Sequence, residues 1–243
     1  MAKLLNSLLE NEEAIPEEFL CSRLICLNKC ANEIGKLENI RPIAVNGMIF
    51  KILERVILTR LEIYSSDHDI KIDKSQVGFI PKLGCDVNIT RLRQRVLDVS
   101  DSNTNHRDNE LIFFIDLKAA YDSVNHCKLF EKLCNMGYPD HLINAVKKIY
   151  SSARMRLNTF LDPINVNKGV MQGGIISHWL FNVYLNDLII SIKDQVFDVL
   201  AYADDLAVIC KNIEEFKKAD KTLNAWCNNN HIAVNKKKVL SCL

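Results

Sequence analysis

Apolar residues form two patterns along the chain, a helical spacing and short continuous runs, and these patterns predict its helices and strands. An apolar stripe at positions three and four apart predicts a helix over residues 47–63 and a second over 87–99. Short continuous apolar runs predict strands at 23–27 and 111–117. The polar segment 101–110 favours a loop, and it is the best candidate for a boundary between subdomains.

The second half of the chain continues this mixture of elements. Further helices are predicted over residues 124–136, 140–150, 177–193 and 213–228, and a last strand at 232–235. Ser177 is a suitable N-cap for the third of these helices. Apolar and polar residues alternate on both sides of Asp162 and Pro163, which predicts a hairpin. Because strands and helices interleave, the predicted fold class is α+β.

Composition places the chain among globular proteins that bury a substantial core. Its 243 residues are 48% hydrophobic and 25% charged, with a net charge of +1. No apolar run approaches membrane-spanning length, and no secretory signal is evident. The nine cysteines are odd in number and lack a CxxC pair, which favours reduced thiols. We therefore expect an intracellular protein, nuclear or cytoplasmic, that is neither secreted nor in a membrane.

Positive charge is concentrated locally although the total is near zero. Three basic stretches stand out: Arg91, Arg93 and Arg95; Lys147, Lys148, Arg154, Arg156 and Lys168; and Lys236 to Lys238. Clustered cations can contact the phosphates of a nucleic acid, or they can simply form solvated helix faces. Composition leaves both interpretations open.

Three acids lie where apolar strands end. Asp116 closes the run LIFFID, and Asp204 and Asp205 are adjacent in AYADDLAV. If AYADDLAV is a hairpin that turns at its acids, both carboxylates lie at the tip. Carboxylates brought together need a cation, and oxygen ligands of this kind suit Mg²⁺. Two such ions would serve phosphoryl transfer. Acids in a turn are also common as plain surface residues.

Several motifs, taken together, point to a family. FIDLKAAYDSVNH, GVMQGGIISHWLFNVYLNDL and AYADDLAV, in this order, resemble the reverse transcriptases of non-LTR (LINE-like) retrotransposons and, more distantly, those of group II introns. RPIAVNGMIFKILERVILTRL and QVGFIPKLGCDVNI resemble the family's fingers motifs, and WCNNNHIAVNKKK resembles the motif after the catalytic hairpin. The resemblance covers nearly the whole chain.

The resemblance implies roles for individual residues. Asp116 and Asp204 would be the main metal ligands, Asp205 would complete the acidic cluster, and two Mg²⁺ ions, replaceable by Mn²⁺, would be the cofactors. Tyr121 matches the aromatic gate against a nucleotide 2′-OH, unless it is a core aromatic. The remaining substrate-binding candidates are Gln172 and Gly173 beside the incoming nucleotide, Arg41 and more weakly Lys36 on the triphosphate, and Lys237 near the leaving pyrophosphate. Arg41 could instead be a plain surface cation.

The implied architecture is a right-hand polymerase with fingers at 1–109 and an antiparallel palm sheet packed on helices at 110–243. The implied partners are an RNA template, a DNA primer and dNTPs. We expect the chain to stop before the thumb, so that a thumb or endonuclease segment would be supplied elsewhere. The expected function is RNA-directed DNA polymerase. A truncated, inactive nucleic-acid-binding remnant and a maturase-like RNA-binding protein are the alternatives.

Overall fold

The computed structural model describes residues 15–29, 39–101, 110–158, 160–235 and 241–242. The chain divides into two compact units, each built from two stretches of sequence. The first unit takes Met1–Ile70 and His126–Leu180, and the second takes Lys71–Asn125 and Phe181–Leu243. Each unit therefore draws on both sides of residue 110, and the assignment of fingers and palm to 1–109 and 110–243 stays a prediction.

The described strands are β1 (Cys21–Asn28), β2 (Ile40–Val45), β3 (Leu111–Lys118), β4 (Arg154–Arg156), β5 (Ile164–Asn165), β6 (Asp198–Tyr202), β7 (Asp205–Cys210), β8 (Ala233–Val234) and β9 (Ser241–Cys242). The described helices are α1 (Glu17–Leu20), α2 (Met48–Asp67), α3 (Cys85–Asp101), α4 (Ala120–Ser123), α5 (His126–Asn135), α6 (Asp140–Ser152), α7 (Ser177–Lys193) and α8 (Ile213–Asn230). Every helix and strand that the periodicity predicts is present, and α7 has the predicted bounds.

The first unit combines a mixed sheet with helices. Its strand order is β2-β1-β4-β5, in which β1 and β4 run parallel and the outer pairs are antiparallel. The pairing of β4 with β5 confirms the hairpin predicted around Asp162 and Pro163. Helix α2 buries its apolar stripe, as the helical spacing requires, at Phe50, Leu53, Ile57, Leu58 and Leu61. Helices α2 and α5 both pack against α6.

The second unit is built on an antiparallel sheet. Its order is β6-β7-β3-β8, and β9 also pairs with β3. Along β3 the buried positions alternate with more exposed ones, which is the pattern of a strand with one face on the core. Phe113 on the core face meets Phe216 of α8 edge-on, with ring centroids 4.9 Å apart. The sheet packed on helices matches the predicted α+β class.

None of the helices in the described ranges is long and apolar enough to cross a membrane.

Candidate active site

The strand register of the second unit brings two of the predicted acids together. Asp116 in β3 is directly opposite Asp205 in β7. Directly opposed residues of antiparallel strands share a face, with Cα atoms roughly 4.5–5.5 Å apart. Asp116 is half-buried and Asp205 is exposed, so this face opens to solvent at the end of β3. The structure therefore places two carboxylates side by side on one sheet face.

The third acid lies in the turn between β6 and β7. Tyr202 pairs with Asp205, which leaves Ala203 and Asp204 as a two-residue turn. Ala203 has a φ of 54°, in the left-handed region that an L-residue adopts at a cost of about 1–2 kcal/mol. Neighbouring residues within a strand point to opposite faces, but Asp204 is in the turn, outside the strand, and is not bound by that alternation. The hairpin predicted from AYADDLAV is confirmed.

A buried glutamine holds this turn in place. The side-chain amide of Gln76 accepts a hydrogen bond from the backbone N–H of Ala203 at 2.8 Å and donates to the Ala203 carbonyl at 3.1 Å. Its oxygen also accepts from the backbone N–H of Gly78 at 2.9 Å. Gln76 is only 2% exposed, so few water molecules compete for these bonds. Sequence reasoning recognised QVGF only as a fingers motif and missed this support.

Asn235 supports Asp116 from the residue that follows β8. Its side-chain amide donates to Oδ2 of Asp116 at 3.1 Å, and its backbone N–H donates to the Asp116 carbonyl at 2.8 Å. The carboxylate of Asp116 is thus oriented by a hydrogen bond from the residue that follows β8. The sequence showed only that IAVN is a strand-like segment directly before the lysine triplet, and that pattern does not single out the asparagine.

Tyr121 stacks on Phe181, with ring centroids 4.6 Å apart and ring planes 14° from parallel. Its hydroxyl is buried and has no hydrogen-bond partner among the described residues. Burial, and secondarily the negative charge of Asp204, raises the pKa of this phenol. The ring is therefore a neutral surface, fixed by its stacking on Phe181, within the electrostatic reach of Asp204.

A metal site at these acids would be an open one, completed by water and substrate. Within the described ranges, no three His, Cys, Asp or Glu side chains converge closely enough to enclose an ion. Mg²⁺ does not require such an enclosure, because it is commonly held by one or two carboxylates together with waters and substrate phosphates. The opposed pair of Asp116 and Asp205, with Asp204 in the adjoining turn, fits that mode of binding.

Three of the predicted substrate-binding residues belong to the first unit. The backbone N–H of Ala44 in β2 donates to the carbonyl of Gln172 at 2.7 Å, so the MQGG loop lies along the free edge of this strand. Gly173 has a φ of 112°, and a Cβ there would overlap the Ala44 carbonyl oxygen, so glycine is required. Arg41 is on the same strand, β2, and is exposed. Lys36 and Lys237 lie outside the described residues.

Glu54 of α2 anchors the far side of this loop, and sequence reasoning did not identify it. The fully buried carboxylate accepts hydrogen bonds from the backbone N–H of Ile175 at 3.1 Å and the amide of Asn46 at 3.0 Å. Asn46 in turn accepts from the hydroxyl of Ser22 at 2.8 Å. Burial raises the pKa of Glu54, although the hydrogen bonds from Ile175 and Asn46 oppose the rise. The start of α7, where a Ser177 N-cap was predicted, is thus supported by a carboxylate from another helix.

The chain is similar to known proteins along nearly its whole length. The family described as "Reverse transcriptase (RNA-dependent DNA polymerase)" matches residues 29–243. In Drosophila melanogaster, the probable RNA-directed DNA polymerase from transposon BS is 24% identical over 99% of this chain, and the RNA-directed DNA polymerase from mobile element jockey is 23% identical over 98%. The chain spans 27% of the length of each.

Solved structures share the fold at much lower identity. Apo telomerase from Candida tropicalis superposes with a TM-score of 0.69 at 12% identity, over 92% of this chain and 44% of that one. Telomerase from the same organism in complex with a TWJ fragment of telomeric RNA gives a TM-score of 0.66 at 13% identity, over 92% and 41% of the two chains. These likenesses confirm the predicted right-hand polymerase fold.

Replacement of Gly78 by alanine is expected to disturb the acidic turn. A Cβ on Gly78 would overlap the backbone nitrogen of Ala203 and reach the carbonyl carbon of Tyr202. Overpacking against backbone should lower the free energy of unfolding by about 1–3 kcal/mol, measured by urea denaturation. Gly47→Ala is the matched control, because a Cβ there meets nothing within 4 Å. An equal loss in both variants would contradict the proposed contact.

The raised pKa of Glu54 predicts a pH-dependent stability. The folded state holds the carboxyl proton to a higher pH than the unfolded state does, so stability should fall as pH rises from the ordinary pKa through the raised one. Glu54→Gln should remove this fall, as followed by urea denaturation at a series of pH values. Glu62→Gln, at an exposed position of the same helix, should retain it. A pH profile of Glu54→Gln identical to wild type would refute the assignment.

Proposed function

Because the chain belongs to the reverse transcriptase family, we propose that it is the RNA-directed DNA polymerase core of a non-LTR retrotransposon-like element. It would act inside the cell on an RNA template, a DNA primer and dNTPs. One observation carries the proposal: the register that sets Asp116 opposite Asp205, with Asp204 in the adjoining turn. The relatives named as polymerases are longer than this chain, so their activity does not by itself establish the activity of this chain.

In the proposed reaction, the 3′-hydroxyl of the primer gives its proton to solvent, and its oxygen attacks the α-phosphate of the dNTP. The bond from that phosphorus to the bridging oxygen breaks, and pyrophosphate leaves. Asp116, Asp204 and Asp205 would hold two Mg²⁺ ions, or Mn²⁺ in their place. When bound, such ions stabilise negative charge on the transferring phosphate and help ionise the attacking hydroxyl.

The other residues bind and orient the substrates. Gln172 and Gly173 would lie against the incoming nucleotide, where the absent side chain of Gly173 allows close approach of the backbone. Arg41 would contact the triphosphate with a planar guanidinium suited to phosphate oxygens. Lys36 and Lys237 keep their proposed roles at the triphosphate and the pyrophosphate. Pairing with the template base would select the nucleotide, since protein contacts to the backbone carry no sequence information.

Substitution of Asp204 tests the catalytic assignment. Primer extension on poly(rA)/oligo(dT) with Mg²⁺, and in parallel with Mn²⁺, should show incorporation of dTTP by the wild type. Asp204→Asn keeps the shape of the side chain but removes its charge, and should lower the rate at least about 100-fold, which corresponds to about 2.7 kcal/mol of lost charge stabilisation.

Asp194→Asn is the charge-matched control, because Asp194 is just beyond the end of α7, outside the sheet that carries the acids. It should keep the wild-type rate. If wild type and Asp204→Asn both show only background incorporation, the proposed activity is refuted. If both are equally active, the proposed role of the Asp204 carboxylate is refuted.

Substitution of Tyr121 tests the nucleotide gate. Tyr121→Ala should raise the ratio of ribonucleotide to deoxynucleotide incorporation, because the ring stacked on Phe181 would no longer obstruct a 2′-OH. Tyr121→Phe keeps the ring and should keep the selectivity. The measurement is kcat/KM for rUTP and dTTP with each variant. Unchanged selectivity in Tyr121→Ala would show that the residue is a core aromatic.

A further inference from the structure

The mixed sheet of the first unit places two arginines directly against each other. In the parallel pairing of β1 with β4, Arg23 is the register partner of Arg156. Neighbouring strands are roughly 4.8 Å apart, and register partners in a parallel pair point to the same face. Arg23 and Arg156, called here the arginine pair, therefore project side by side from one face of the sheet.

This arrangement is unfavourable for the protein alone. Like charges on adjacent strands repel, and the repulsion is strongest where water is partly excluded. The Nε atom of Arg156 is buried without a hydrogen-bond partner, and neither arginine makes an ion pair with any residue that the structure describes. An unsatisfied buried donor adds its own desolvation cost. The repulsion between the two guanidinium groups would be offset by one ligand, an oxyanion seated between them.

The neighbouring Arg154 shows what a satisfied arginine looks like on this strand. Its Nη1 atom donates to the carbonyls of Ser151 and Ala153, at 3.2 Å and 3.1 Å, at the C-terminal end of α6. Arg154 is therefore explained by the fold, since it caps a helix end. The arginine pair has no such explanation.

The rest of the same face favours an extended ligand. Alternation along β1 places Ile25 and Leu27 on the face of Arg23, and they are 38% and 51% exposed. Arg41 is the register partner of Leu27, so it lies on this face four residues from Arg23 along the strand direction, roughly 13 Å. The described strand residues of this face include no acid. A chain of phosphates separated by sugars matches this spacing of cations and apolar side chains better than a single small anion does.

We infer that the arginine pair, Arg23 and Arg156, is a binding site for a backbone phosphate of the single-stranded RNA template. Two guanidinium groups supply planar, bidentate donors to phosphate oxygens, and such charge-assisted bonds are among the stronger ones in proteins. The inference rests on the proposed function only for the identity of the ligand as template RNA. It assigns to Arg23 and Arg156 a role that the polymerase chemistry does not require.

The test measures RNA binding by the full 243-residue chain without dNTPs or divalent metal. Fluorescence anisotropy with a labelled single-stranded RNA, at several NaCl concentrations, should show about tenfold weaker binding by Arg23→Gln and by Arg156→Gln. The slope of log affinity against log salt should become shallower by about 0.7 for each phosphate that the variant no longer neutralises. Lys217→Gln removes the same charge from an exposed side chain of α8 paired with Glu214, and should bind as wild type does.

Thermal unfolding without RNA separates binding from a structural role. Because the arginine pair is repulsive, neither Arg23→Gln nor Arg156→Gln should lower Tm, and Arg23→Lys should restore part of the RNA affinity. A lowered Tm together with weaker binding would show that the arginines stabilise the sheet, and would overturn the inference. Unchanged affinity and salt slope would overturn it too.

A separate arm distinguishes the two sources of phosphate. If the pair instead held the triphosphate, both substitutions would raise KM for dNTP in primer extension while RNA affinity stayed at the wild-type value. The RNA-binding measurement does not depend on catalysis. A chain that fails to polymerise can therefore still support phosphate binding by the arginine pair, and a chain that polymerises can still refute it.

Discussion

The antiparallel register of β3 and β7 is the constraint on which the candidate active site depends. Asp116 faces Asp205 only because Phe113 and Ile115 occupy the other face and are buried. A slip of one residue would move every side chain of the strand to the opposite face, exposing the apolar set and burying the carboxylates. The hydrophobic core of the second unit therefore fixes the position of the acids, although none of the core residues takes part in chemistry.

The acidic turn is strained and held by its surroundings. Ala203 adopts a left-handed conformation, and so does Ala119, with a φ of 47°, in the connection between Asp116 and Tyr121. Such residues persist where the neighbouring structure determines the backbone more strongly than the local preference does. At Ala203 the determining contacts are the two hydrogen bonds with Gln76. Strain and support thus occur together at the positions that carry the acids.

Each unit sets two like charges directly opposite each other on neighbouring strands. In the second unit the pair is Asp116 and Asp205, and in the first it is Arg23 and Arg156. Both pairs are directly opposed across neighbouring strands, where repulsion is greatest. A ligand of opposite charge, a metal ion for the acids and a phosphate for the arginines, would relieve the repulsion in each pair, and this relief would favour binding. Like charges opposed across neighbouring strands are therefore the common feature of its proposed sites.

The sequence by itself predicted most of the elements and the residue types on which the proposed role of the acids rests. Apolar periodicity is a local property, and it predicted the longer helices, the strands β1, β3 and β8 and the bounds of α7. It did not predict β2 or the short helices α1 and α4. The position of the acids in AYADDLAV predicted the hairpin there. The quoted motifs predicted the family, which the comparisons confirm. Roles that depend on residue type alone, such as carboxylates for Mg²⁺, could be predicted in the same way.

Only the tertiary structure decided which distant residues meet. In the second unit Gln76 and Asn235 support the acids, and in the first unit Glu54 supports the MQGG loop. Their hydrogen bonds join residues 127, 119 and 121 positions apart. Amides and carboxylates of this kind are common along the chain, and nothing local distinguishes these three. The arginine pair has the same origin, because Arg23 and Arg156 are brought together by a parallel strand pairing that no periodicity encodes. Burial and register are properties of the folded chain, and they decide which of its polar residues acquire a function.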